Sequence, residues 1–167
     1  MSDALIEPLY VISIEEVCWG GALVAITMAI HGFGMLAVLR VNHRLKRWSD
    51  SGNGMLSGLF PVILAGCMIM IVHLTEVLAW AVFFVWKDAF PNVSVAYYFA
   101  LDEYTTVGSK YNLPLNYRLL EGMIAAVGML MFAWSTGVLF TLAQGFQSRQ
   151  IESFTLRRRR QDRDPET

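Results

Sequence analysis

The sequence predicts an all-α membrane protein with three transmembrane helices. Three observations predict it: an apolar composition, three long apolar runs, and positive charge gathered between and after particular runs. Hydrophobic residues make up 55% of the 167 residues and charged residues 16%, with a mean hydropathy of +0.45. That is too apolar for an ordinary soluble domain. The length matches one domain, and no low-complexity linker divides it. Residues 1–16 carry acids rather than a basic n-region, so the run after them reads as a retained anchor and not a cleaved signal.

A helix needs about 20 apolar residues to cross the hydrocarbon core. Residues 17–40 supply the first span, in which His31 is the one readily ionised group before Arg40. Residues 55–86 supply a longer second span, interrupted by His73 and Glu76. Residues 119–146 supply the third, with Glu121 near its entrance. Polar stripes at helical spacing, which a soluble hairpin would show, are missing from these runs. Cys18 and Cys67 fall in different spans at different depths, so no disulfide is expected between them.

Orientation follows from Lys and Arg. Arg40, Arg44, Lys46 and Arg47 lie between spans one and two, and Arg149, Arg157, Arg158, Arg159, Arg160 and Arg163 follow span three. Only Lys87, Lys110 and Arg118 fall on the other side. This places the 42–54 loop and the basic tail, 147–167, in the cytoplasm. The acidic N-terminal segment 1–16, with Asp3, Glu7, Glu15 and Glu16, lies outside a plasma (inner) membrane, together with residues 87–118. Arg157–Arg160 form an expected clamp for anionic lipid headgroups. Tyr10, Trp19, Trp48 and Trp86 suit the interfacial belts.

The outer segment is too short for another pair of crossings and too apolar for a simple loop. Asn92 or Ser94 can cap a short helix through Val95–Leu101, which stops at Thr105-Thr106-Val107-Gly108. Two placements stay open on pattern alone. The helix rests on the outer surface, or it dips into the membrane and returns as irregular backbone enclosed by protein or a water-filled cavity.

Ala96–Gly108, AYYFALDEYTTVG, resembles the pore helix and first half of the selectivity filter of potassium channels, which continue as TTVGYGD. The resemblance covers residues 60–146, and Gly128 is similar to the inner-helix glycine held to act as a gating hinge. It implies a re-entrant pore loop at 93–111 within a membrane pore domain, 17–146. It further implies a homotetramer, and a filter at Thr105, Thr106, Val107, Gly108 and Ser109. No cofactor is implied beyond a monovalent cation, K+, in that filter. The chain departs from the family at Ser109-Lys110-Tyr111, where Tyr-Gly-Asp should stand. A lysine replacing the second glycine disfavours the upper filter sites. At most the lower sites at Thr106, Val107 and Gly108 are expected, so potassium selectivity is not. Asp102 aligns with a carboxylate behind the filter, and two placements of Lys110 stay open: paired with Asp102 or Glu103, or turned to solvent.

His31, His73 and Glu76 form the intramembrane polar set, with Glu76 one turn from His73 on the same face. Three readings compete: hydrogen bonding between spans, a proton-sensitive gate, or metal or haem ligation. Two functional alternatives therefore stand beside the channel: a non-conducting scaffold subunit, and a haem- or metal-binding membrane subunit. The first span has no arginine ladder, which argues against a voltage sensor. No nucleophile–base constellation, phosphate loop or nucleotide fingerprint occurs, so no enzyme is expected.

Overall fold

The computed structural model describes residues 11–49 and 55–161. Asp3, Glu7, Tyr10, Arg163 and residues 50–54 between the first two spans lie outside the described residues. The elements are α1 (Ile14–Ser49), α2 (Met55–Trp86), α3 (Val93–Tyr104), a single 3-10 turn at Leu115–Tyr117, and α4 (Leu119–Gln161). Among the described residues, three helical segments are long and apolar enough to cross a membrane: Ile14–Leu45, Leu59–Trp86 and Leu115–Glu152. Their length and apolarity suit a membrane protein.

Helices α1 and α4 run beyond the expected spans. Once a helix is nucleated, residues such as Arg, Lys, Glu and Gln extend it at little cost. The charged stretches through Ser49 and Gln161 therefore continue as helix. Pro61 sits seven residues into α2, past the first turn, and removes one backbone hydrogen bond from the helix there.

The chain divides into two compact units. The first combines residues 1–32 with 72–132 and so holds the opening of α1, the second half of α2, all of α3 and the opening of α4. Its core gathers Trp80, Phe84, Phe99, Tyr104, Leu120 and Ile124. The aromatic rings meet edge to face or tilted, as with Phe84 and Phe99 at 5.5 Å. The indole of Trp80 donates to the Thr27 hydroxyl at 2.9 Å, and that hydroxyl donates to the Leu23 carbonyl, which fastens α2 to α1. Ser13 caps α1 by accepting from the Glu16 N–H. The Glu16 side chain accepts from the Leu119 N–H and caps α4. At the same end Lys87 pairs with Glu15 at 3.5 Å and lies over the Trp19 and Trp86 rings.

The second unit, residues 33–71 and 133–167, joins the far half of α1 to the first half of α2. Val38 and Ala65 are buried in it, and the Asn42 amide donates to the Pro61 carbonyl at 3.1 Å. Cys18 and Cys67 are free thiols.

Helix α3 is short because both ends are specified. Asn92 is its N-cap, with the side-chain oxygen accepting from the Val95 N–H at 2.9 Å. Ala96, Phe99, Ala100 and Tyr104 face the core, a spacing of three and four that gives one buried stripe. Its C-terminal end comes against α4 so closely that a methyl group on Gly128 would overlap the Tyr104 carbonyl oxygen. Gly128 thus stands inside an uninterrupted α4 as a close-approach residue. The expected hinge has no counterpart in a break of the helix.

The sign of one substitution separates the two roles. Gly128→Ala adds about 1 kcal/mol of helix propensity, so a glycine needed only for bending would leave the thermal midpoint unchanged or raise it. Overpacking against Tyr104 costs about 1–3 kcal/mol. The expected outcome is a lowered midpoint in a detergent-solubilised melt.

Candidate functional site

Helix α2 presents His73 and Glu76 three residues apart on one face, α1 presents His31, and α3 presents Tyr104. All four side chains are buried, with His31 and Glu76 fully so. Nδ1 of His31 lies 2.8 Å from Glu76 Oε1. Tyr104 donates its hydroxyl proton to Glu76 Oε2. His73 Nδ1 stands 2.8 Å from the Tyr104 oxygen and 3.5 Å from Glu76 Oε2.

The protons can be placed by counting. A phenol has one, and it goes to Glu76, so the bond from His73 requires a proton on Nδ1. An ionised Glu76 then accepts from Tyr104 at one oxygen and from an Nδ1–H of His31 at the other. Every buried side-chain nitrogen and oxygen among the described residues has a partner. In an apolar medium this matters, because a lost bond to a charged group costs about 1.5–3 kcal/mol. The rings pack as well: His31 and His73 have centroids 5.3 Å apart, and His73 rests 4.5 Å from Phe132.

Tyr104 ends α3, and the residues after it turn sharply. The N–H of Thr106 donates to the Glu103 carbonyl at 2.9 Å and that of Val107 to the Asp102 carbonyl at 3.0 Å. Thr106 takes the left-handed conformation at φ 60°. This is a Schellman cap. The same pattern closes α2, where Asp88 is left-handed at φ 55° and the N–H groups of Asp88 and Ala89 bond back to Val85 and Phe84. Thr105 donates its hydroxyl to the Leu101 carbonyl at 2.8 Å.

The resemblance implied a filter at 105–109, and the backbone at 105–108 forms a helix cap. The N–H groups of Thr105, Thr106, Val107 and Gly108 all bond back into α3. In a trans peptide each carbonyl points opposite to the next N–H. The carbonyls of Thr105, Thr106 and Val107 therefore point away from the helix end. Thr106, Val107 and Gly108 are exposed, Val107 by 77%.

Around this turn, Glu103 accepts from the Ser109 N–H at 2.8 Å. Lys110 is exposed with its ammonium 5.2 Å from the Tyr111 ring centre, the solvent-facing one of the two placements left open. Arg158 is exposed near the end of α4, and Arg157, Arg159 and Arg160 occupy helical positions beside it.

Sequence reasoning put His31, His73 and Glu76 together but missed Tyr104 as their fourth member. It also missed Glu16 as the cap of α4. The visible signal for Tyr104 was its place at the end of a buried 96, 99, 100, 104 stripe.

Thr106 offers a direct check on the turn. Left-handed backbone costs a residue with a Cβ about 1–2 kcal/mol, partly offset by the entropy that glycine loses on folding. Thr106→Gly is expected to raise the thermal midpoint by the equivalent of about 0.5–1 kcal/mol; a fall would contradict the cap. Comparison with protein-family models, curated proteins and solved structures finds no match for this chain.

Proposed function

We propose that the chain is a pore-loop subunit, four copies of which surround an axis and pass monovalent cations with weak selectivity. The observation that carries the reading is the set of three consecutive carbonyls, at Thr105, Thr106 and Val107, directed away from the end of a short helix. Carbonyls in a ring can replace the hydration shell of a cation. The C-terminal end of α3 adds partial negative charge at the same place.

Depth supports it. Tyr104 bonds to Glu76, ten residues before the end of α2 at Trp86. It also meets Gly128, nine residues after the start of α4 at Leu119. At a rise of about 1.5 Å per residue, both distances come to roughly 14–15 Å. That is about half of a hydrocarbon core of some 30 Å. Exposed irregular backbone at such depth is tolerated only where protein or a water-filled cavity covers it. Neighbouring copies around a conduit supply both.

Weak selectivity is a consequence of the same turn. A continuous TTVGYGD strand would provide successive carbonyl rings, whereas here the run ends at Gly108-Ser109-Lys110. The exposed Lys110 ammonium, once per copy, adds positive charge near the outer mouth and lowers throughput. In this reading the N-terminus lies outside and the Arg157–Arg160 stretch faces the anionic inner leaflet.

Purified protein in proteoliposomes tests the proposal. Native mass measurement is expected to give a tetramer, and K+ and Na+ tracer fluxes are expected above empty liposomes and within about tenfold of each other. A tetramer without flux would identify a scaffold subunit, and a monomer or dimer would remove the pore.

A further inference from the structure

We propose that His31, His73 and Glu76 form a binding site for a divalent transition-metal ion of the zinc type. The site is independent of whether the pore conducts.

The first ground is geometry. One ligand atom from each of the three residues can be chosen so that all lie within 4.8 Å of one another, and all three residues are buried. The His31 Nδ1–Glu76 Oε1 distance is 2.8 Å and the His73 Nδ1–Glu76 Oε2 distance is 3.5 Å. Ligands held at about 2.0–2.1 Å in a tetrahedron stand roughly 3.3–3.4 Å apart, so His31 Nδ1 and Glu76 Oε1 would separate by about 0.5 Å to share an ion, within the 4.8 Å spread of the three ligand atoms. Small rotations of imidazoles on α1 and α2 would bring both lone pairs onto a shared centre. Two imidazoles and a carboxylate form a donor set suited to zinc and its neighbours, and unlike the all-oxygen sets that calcium and magnesium take.

The second ground is charge. A fully buried carboxylate needs a partner cation or a protonated neighbour. The two histidines and the phenol supply its hydrogen bonds, and its charge is the other requirement. A dication at their meeting point would satisfy it, with both histidines carrying their proton on Nε2 instead of Nδ1.

The third ground is the surrounding shell. Tyr104 donates to Glu76 Oε2, which orients the carboxylate and leaves Oε1 toward His31. Hydrogen-bonded outer partners of this kind hold ligands in place at metal centres. Tyr104 also closes α3, so a metal here would fasten α1, α2 and the exposed turn at 105–108 into one piece. The role this assigns to the ion is structural, setting the position of the turn.

Metal content of the full chain decides the matter. The protein would be expressed in zinc-supplemented medium, purified in detergent and analysed by plasma mass spectrometry. A second sample would be stripped with chelator and titrated with Co2+, with visible absorption as the readout. The expected result is close to one zinc per chain, ligand-field bands saturating near one Co2+ per chain, and a loss of at least tenfold in content for His31→Gln. A wild-type protein of full helicity that holds no zinc above a detergent blank and gives no Co2+ bands overturns the site. Metal retained by both His31→Gln and His73→Gln also overturns it. The wild-type result stands even if these variants do not fold, and flux measurements play no part in it.

Discussion

In an apolar setting a carboxylate must find its hydrogen bonds within the protein, and Glu76 finds them through α1 and α3. Its two oxygens reach His31 and Tyr104. His73 bonds in turn to Tyr104. These contacts decide where α3 ends, because Tyr104 is its last residue. Gly128 completes the arrangement by removing the one atom that would keep the α3 carbonyl end off α4. Apolar packing among Trp80, Phe84 and Phe99 supplies bulk attraction, but it has no direction. The hydrogen bonds set the depth and register of the short helix.

The backbone after Tyr104 is therefore constrained from one side. The helix has to stop within a residue or two, and it does so through a cap that places Thr106 in a conformation costly for a β-branched side chain. A glycine would be the ordinary choice, and one comes two residues later, at Gly108, also left-handed at φ 80°. The chain bends away from α3 across these positions. The familiar channel filter instead continues as a strand, with glycine where this chain has Lys110. Loss of that second glycine and reliance on a capped helix end describe the same departure at two levels, sequence and backbone.

Much of the architecture was legible in the sequence because it depends on local properties. Span length follows from apolar runs, and the start of α3 from Asn92, whose side chain caps three residues ahead. His73 and Glu76 are three apart on one helix, so their shared face could be read directly. Tyr104 joins them across 28 residues and His31 across 45, separations at which helical periodicity carries no information. Glu16 reads as an acid in an exposed N-terminal segment, yet it is buried and caps a helix 103 residues away. Gly128 is ambiguous for a related reason. A glycine within an apolar helix fits bending or close contact equally well until the neighbour is known. At 105–108 the sequence TTVG fits a helix cap as well as a filter, and the Tyr-Gly-Asp that follows it in the channel pattern is absent.

The pore reading requires α3 to be held at mid-membrane depth, with its exposed turn away from both interfaces. A nitroxide label at Val107, in protein reconstituted into bilayers, measures that depth from relative relaxation by oxygen and by a water-soluble nickel complex, against labels at Val93 and Leu115. The Val107 label is expected to lie about 10–15 Å deeper than the other two. If water is shown to reach it through a conduit, depth would instead be read by distance to labelled lipid headgroups. A Val107 label at the same level as Val93 and Leu115, near the headgroups, would contradict a mid-membrane turn.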